Sequence, residues 1–501
     1  MSSLLLAEPW LRGIAANRAA PSDVLLRLLA PQGRVAWTTL CQERALPPEV
    51  VEAVVTHPAQ AVRRAFARNR HAAPEQRGRL VDDPDALVRA DLVSGPRPRL
   101  NRAAPLPDDV LEILLTTRDE HRRDQLLTAE EIRQELQFSG QIPASFRRRM
   151  PDHPNPALRA QATNLWQWLS PGQRDALLAD PDPTVSEAAR DRNQTLDPAA
   201  MEASLPERAC HSRNHLLINY AVSHAVAEQC LAEGRDLWSL ARNPHTPGDI
   251  VARLAHDPDP DVRKQVAARA DLGPSLLAGL AQDPDSAVRA RALLQPLPRT
   301  WPQRDALDQV VGHAVECVGA VGEMFVEPGT SWYEACAASP DPQLRRVAAT
   351  CPRLSEELVP RLAEDADEDV RHLLAYNHPL APPALVLDAF IATPRQRPYL
   401  LTLPRLPRTG LDHLLDHDDP DVRALAASDA GLAQPPVRLL ADPEPRVRQA
   451  AATNPRLPLD LVSALLDDPE HAEGAAANPN LAADRLHELL DLCELPGATA
   501  S

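Results

Sequence analysis

The chain has 501 residues, 44% of them apolar but only 3% aromatic, so Ala, Leu and Val must fill any core. Its formal net charge of −17 repels a phosphate backbone on average and counts against nucleic acid as the partner. No apolar run is long enough to cross a membrane, and MSSLLLAEPWLRG at the start lacks the basic region of a signal peptide.

Read from its start, the chain repeats itself. The unit is N-P-x-L-P-x-x-L-[LV]-x-x-L-A-x-D-P-D-x-x-V-R-x-x-[AL]-A. Its leucine slot falls at Ala20, Leu46, Ala73, Leu106, Ile142, Leu169, Leu196, Val222, Thr246, Leu272 and Leu297, then at Leu354, Leu380, Leu406, Leu432, Leu457 and Leu481. That is about seventeen copies, most spaced about 24 to 27 residues apart. Longer steps before Leu106, Ile142 and Leu354 mark insertions. Each copy predicts two short helices. In the unit around Leu254, Thr246-Pro247-Gly248-Asp249 is expected to start the first helix in the manner of a capping box. Ile250, Val251, Leu254 and Ala255 recur at helical spacing. Asp259 then caps the second helix, with Pro260 at its first turn and Val262, Val266 and Ala267 facing inward. Neither helix is long enough to stand alone, so neighbouring copies must cover its apolar stripe.

Two polar residue types recur with the unit. Arginines follow Val at Arg63, Arg89, Arg263, Arg289, Arg371, Arg423 and Arg448, and follow Leu at Arg159 and Arg345. Their fixed offset from the Asp-Pro turns predicts Arg–carboxylate forks in place of an anion-binding ladder. Asparagines at Asn17, Asn69, Asn193, Asn219, Asn243, Asn377, Asn454 and Asn478 end each second helix. A left-handed conformation and amide bonds to free carbonyls are expected there.

Departures from the unit supply the candidate sites. Arg147, Arg148 and Arg149 follow Phe146, and Trp166 and Trp168 lie just beyond, a basic and aromatic combination that suits an acidic partner. Cys210, His211 and His215 lie close in sequence. The two histidines, four residues apart on a predicted helix, could share a metal, but no fourth ligand is evident and no metal is assigned. Residues 304–325 predict an inserted amphipathic helix with the stripe Leu307, Val310, Val311, Ala314, Val318, Val321 and Phe325. It carries His313, Glu316 and Cys317, and Trp332 and Tyr333 follow as candidate interface anchors. The cysteines number seven and form no CxxC pair, which suits free thiols in a reducing cytoplasm. Lysine occurs once, at Lys264, against many arginines, the bias of a GC-rich bacterial genome.

Asn454-Pro455-x-Leu457-Pro458, Leu254-Ala255-x-Asp257-Pro258 and Val262-Arg263 resemble leucine-rich repeat variant repeats and, more loosely, HEAT and armadillo repeats. The resemblance covers nearly the whole chain. It implies an all-α fold, a right-handed α-solenoid alternating an α-helix with a shorter, partly 3₁₀ helix. An iron–sulfur module at the N-terminus, described in that family, is not implied, because only Cys41 lies there. The expected organisation is one continuous solenoid: an array over 1–298, an insertion over 299–340 and an array over 341–501. No enzyme motif is present, and no cofactor is expected. The reading is a non-catalytic scaffold that binds an extended peptide or protein along a concave face. Alternatives are a nucleic-acid-binding HEAT-like solenoid and a metalloprotein or enzyme using residues 210–230 or 304–336.

Overall fold

The computed structural model describes residues 2–97, 104–118, 126–269, 271–293 and 330–497, and among them there are helices and no strand. The fold is an α-solenoid of short helix pairs. In the repeat around Leu254, the first helix is Gly248–Leu254 and the second Pro260–Ala267. Ile250, Val251 and Leu254 from one and Val262, Val266 and Ala267 from the other are buried. They join Leu217, Val226 and Leu240 before them and Leu280 and Val288 after them in one running core.

The Asp-Pro-Asp turn does the capping. The Asp259 carboxylate accepts the N–H of Asp261 at 2.8 Å, with Pro260 at the first helical position. Asp85, Asp182, Asp341 and Asp419 cap the matching helices of other repeats in the same way. The first Asp of each turn closes an Asx turn on the second: Asp257 accepts the N–H of Asp259, and Asp283 that of Asp285. The start of the first helix differs from expectation. Thr246 is buried, and its hydroxyl donates to Leu240 O at 2.7 Å, so the helix begins behind Pro247 without a side-chain cap. The 3₁₀ character that the resemblance implies is found at Asp412–Leu414 and Val437–Ala441, whereas Gly248–Leu254 and Leu459–Leu465 are α-helical.

The described chain falls into two compact units, residues 1–142 with 383–501, and residues 143–382. In the first, the helix Ser2–Ala16 stacks on Ala472–Ala476. Both helices use a glycine to come close. A Cβ on Gly13 would lie 2.2 Å from Glu473 O, and one on Gly474 would lie 2.5 Å from Gln449 O in the helix Pro445–Ala452 beneath. The contact is then tied by polar groups: Trp10 Nε1 donates to Leu466 O at 2.8 Å, and Arg12 Nε to Glu473 at 2.9 Å. Further along, the buried Arg27 donates to Asp491 and to the carbonyls of Leu495 and Pro496. The helix Ser2–Ala16 thus takes the place of the second helix in the repeat whose first helix is Ala483–Leu492. Nothing in the periodicity announces this contact.

In the second unit, Trp166, Leu169, Leu177, Val185 and Ala189 form one core cluster, and the larger cluster runs from Met201 to Ala292. Beyond it, Thr330–Ala337 holds a first-helix place before the turn Ser339-Pro340-Asp341 and packs on Pro342–Ala349. The stripe from Leu307 to Phe325 lies outside the described residues.

Gly13 offers a test whose sign runs against propensity. In an ordinary helix interior, Gly→Ala stabilises by up to about 1 kcal/mol. Here Gly13→Ala should destabilise the first unit by about 1–3 kcal/mol, because the added methyl meets backbone it cannot displace. Urea denaturation gives the sign, and hydrogen exchange should show protection falling at both 2–16 and 472–476.

Candidate functional site

Each repeat presents two polar edges. At the Asp-Pro edge, Arg263 forks onto Asp283 of the next repeat at 2.7 and 3.0 Å, while its other terminal nitrogen donates to Asp257 O and Pro258 O of its own turn. The arrangement recurs in Arg63–Asp83, Arg159–Asp180, Arg345–Asp365 and Arg423–Asp442. Arg289 binds the Asp283 and Pro284 carbonyls. Arg448 does the same at Asp442 and Pro443. The bond to its arginine, with backbone N–H groups assisting, holds the carboxyls of Asp180, Asp283 and Asp442 below the ordinary aspartate value. These side chains are mostly buried, so the arginines belong to the frame.

The opposite edge runs where one repeat passes into the next. There an amide or guanidinium from many of the repeats satisfies the terminal carbonyls of the preceding second helix. Asn454 donates to Ala427 O and Asp429 O, and Asn478 to Ala452 O and Asn454 O. Asn17 donates to Ala476 O and Asn478 O, and Asn69 to Cys41 O and Arg44 O. The rung thus passes from the end of the chain to its beginning without a break. Where Asn is missing, a longer side chain stands in. Arg44 donates to Ala15 O and Asn17 O, Arg269 to Ala241 O and Asn243 O, and Gln141 to Leu92 O and Val93 O. The expected left-handed backbone is absent: among the described residues, the positive-φ non-glycines are Asp236 and Glu494. Asn243 is extended, with φ −69° and ψ 121°. Asn219 and Asn377 bond within their own helices and are not rungs.

The loops leaving these rungs carry positive charge in the first unit. Arg18 follows Asn17, Arg70 and His71 follow Asn69, and Arg44 is itself a rung. Arg408 sits several repeats earlier along the stack. Burial holds the Arg408 guanidinium below its ordinary value, and so do the charges of Arg18 and Arg70. Arg44 is lowered likewise by burial and by Arg18.

The residues singled out from the sequence are not brought together. Arg147, Arg148 and Arg149 do not form one patch. Arg147 points inward, and burial lowers its guanidinium to about 10. Arg148 is exposed, and exposed Arg149 lies over the Phe146 ring at 5.9 Å. Trp166 and Tyr333 are both buried in their unit, which gives them a packing role in place of the anchoring role expected. His313 and Glu316 lie outside the described residues, as does the side chain of Trp332. Cys210 caps its helix through the N–H of Arg213, and His215 sits beside Asn219. Among the described residues, the ligand-type atoms that gather within 4.8 Å are instead those of His224, Glu228 and Asp249. That group is already engaged: His224 pairs with Asp249 at 2.8 Å, and Glu228 with Arg253 at 2.6 Å. The positive loops of the first unit went unread because Arg18, Arg44, Arg70 and Arg408 share no motif.

Residues 239–259 match the family model described as leucine rich repeat variant. No curated protein matches the chain. The matched stretch runs from Ser239 through the rung at Asn243 and the helix Gly248–Leu254 to the cap at Asp259. The repeat at residues 239–259 therefore matches a leucine rich repeat variant repeat, a HEAT-like helical repeat.

Two outcomes test the forks. Arg263→Gln strands Asp283 without its cation and should cost on the order of 3 kcal/mol by denaturant titration. Arg438→Gln, at an exposed pair, should leave the midpoint unchanged. Lowered folded carboxyl values mean stability that is fully present above the unfolded aspartate value, about 3.9, and lost as pH falls through the folded ones. A pH series of melting temperatures should therefore be flat from pH 5 to neutrality in these contributions and drop below about pH 4, as Asp180, Asp283 and Asp442 protonate.

Proposed function

We propose that the chain is a non-catalytic scaffold that holds a protein partner through its repeat surface. The observation that carries the reading is where the repeated polar residues go. Arginine forks onto aspartate, and asparagine, or the arginine replacing it, binds carbonyls. A unit whose polar groups serve the next unit builds a long, stiff surface of equivalent positions. Such a surface suits recognition of another chain better than the convergence of a few reacting groups.

Free thiols at Cys41, Cys210, Cys230, Cys336, Cys351 and Cys493 fit a cytoplasmic setting. No helix among the described residues is long and apolar enough to cross a membrane.

In this reading the sequence insertion, with His313, Glu316 and Trp332, supplies specificity, because it is the longest interruption of an otherwise regular spacing. The test is affinity capture from the native cell with the full chain and with a deletion of 304–330. The full chain should recover a reproducible partner. The deletion protein should melt like the full chain and lose most of that recovery. Equal recovery by both proteins would remove the insertion from the reading. Reproducible turnover of a substrate by the purified chain would overturn the scaffold assignment.

A further inference from the structure

Polar side chains pair across the joints between successive first helices. At most of these joints a donor meets an acceptor: Ser22 donates to Glu49, Arg79 to Glu52, and Ser223 to Glu202. The joint between the helices His224–Glu233 and Gly248–Leu254 differs. There His224 and Glu228 from one helix and Asp249 from the other bring an imidazole nitrogen and two carboxylate oxygens within 4.8 Å of one another. Among the described residues, no other three histidine, cysteine or acidic side chains gather their ligand atoms so closely.

The repeat fixes the three positions. His224 and Glu228 stand four residues apart and so share one face of their helix. Ser223 caps that helix by accepting the N–H of Val226 at 3.2 Å. Asp249 lies in the first turn of the following first helix. Ile250 and Val251 seat that helix in the same buried core that holds Val226 and Ala227. The outward side is open: the side chains of His224 and Asp249 are 56% and 59% exposed, and a Cβ on Gly248 would meet nothing within 4 Å. The local charge favours a cation. Glu202 accepts from Ser223 at 2.8 Å, which sets a third carboxylate beside His224, and Arg253 donates to Glu228 at 2.6 Å. These contacts place three carboxylates against one guanidinium.

We propose that His224, Glu228 and Asp249 form a zinc site that clips two successive repeats together, with water completing the coordination. His224 Nε2 and Asp249 Oδ2 lie 2.8 Å apart and share a proton. Zinc takes the place of that proton between them. A neutral imidazole keeps its proton on Nδ1, and an imidazolium gives one up to solvent. Glu228 has two oxygens, so it keeps Arg253 on one and ligates through the other. Ligands about 2.0–2.2 Å from a tetrahedral zinc sit roughly 3.3 Å apart, a closure that exposed side chains reach by rotation. One imidazole with two carboxylates favours zinc over magnesium and calcium, which take oxygen ligands in larger shells. The site spans one joint of the array, so the ion stiffens the stack locally.

Calorimetric titration of the chelator-treated full chain with zinc chloride decides, with magnesium chloride as the comparator. Saturable zinc binding is the expected result, weaker at about pH 5.5 than at about pH 7.5, because a protonated imidazole is no ligand. Zinc should also raise the melting temperature. His224→Ala should bind zinc at least about tenfold more weakly, since losing a ligand exceeds the roughly tenfold cost of losing a ligand's hydrogen-bond partner. Asp249→Asn keeps the shape of the side chain and should weaken binding likewise, so it carries the test if His224→Ala does not fold. His211→Ala/His215→Ala should bind as the parent does, because those two residues lie outside the cluster. The absence of saturable zinc binding would overturn the proposal. So would undiminished binding by His224→Ala and Asp249→Asn, loss of binding in His211→Ala/His215→Ala, or magnesium binding as tight as zinc. Capture of a protein partner is independent of all these outcomes, so the scaffold reading can fail or stand separately.

Discussion

The structure depends on the carbonyl groups left over at the end of each short second helix. A helix of about eight residues has half its backbone acceptors unsatisfied by its own turns. With the next helix packed against that end, water cannot fully serve them. The rung side chain solves this from outside: Asn243 reaches back to Leu217 O and Tyr220 O, and Asn454 to Ala427 O and Asp429 O. Its carbonyl oxygen meanwhile accepts the N–H two residues on, as in His245 and Arg456, and so shapes the loop into the next helix. One amide therefore finishes one repeat and aims the following one. The requirement is for a donor of adequate reach, which is why Arg44, Arg269 and Gln141 can replace asparagine.

On the other edge, the same economy is reached with charge. An aspartate in the turn accepts its own second-neighbour N–H and a guanidinium from the repeat before it. The arginine finds carbonyls of its own turn as well. Both edges link a repeat only to its neighbour, so the polar framework is as one-dimensional as the apolar core.

How much of this could be read in advance depends on whether a feature is periodic. The caps at Asp259 and Asp341 and the forks of Arg263 and Arg345 follow from spacing, because every copy repeats them. The conformation at the rungs was misjudged, because asparagine suits both a left-handed cap and a backward-reaching amide, and spacing does not separate the two. Arg44 as a rung escaped notice because Glu43 occupies the asparagine slot. Features outside the period fared worst. Trp166 and Tyr333 attract attention as large aromatics in a chain poor in them, yet both fill core positions. The loops of Arg18, Arg44 and Arg70 share no motif, and the bonds from Arg44 to Asn17 O and from Asn69 to Arg44 O set them side by side.

Gly13 on Glu473 and Asn17 on Asn478 have a bearing on how copies of the protein meet. An array of stacked repeats ordinarily presents an apolar face at either extremity, and a second molecule can add there head to tail, the geometry of filaments. Natural arrays guard those faces with polar capping repeats. Here the leading face of the helix Ser2–Ala16 is spent on the trailing face of Ala472–Ala476, with Trp10 and Arg27 fastening the join. Those two faces cover each other within the molecule and are not left open to template growth.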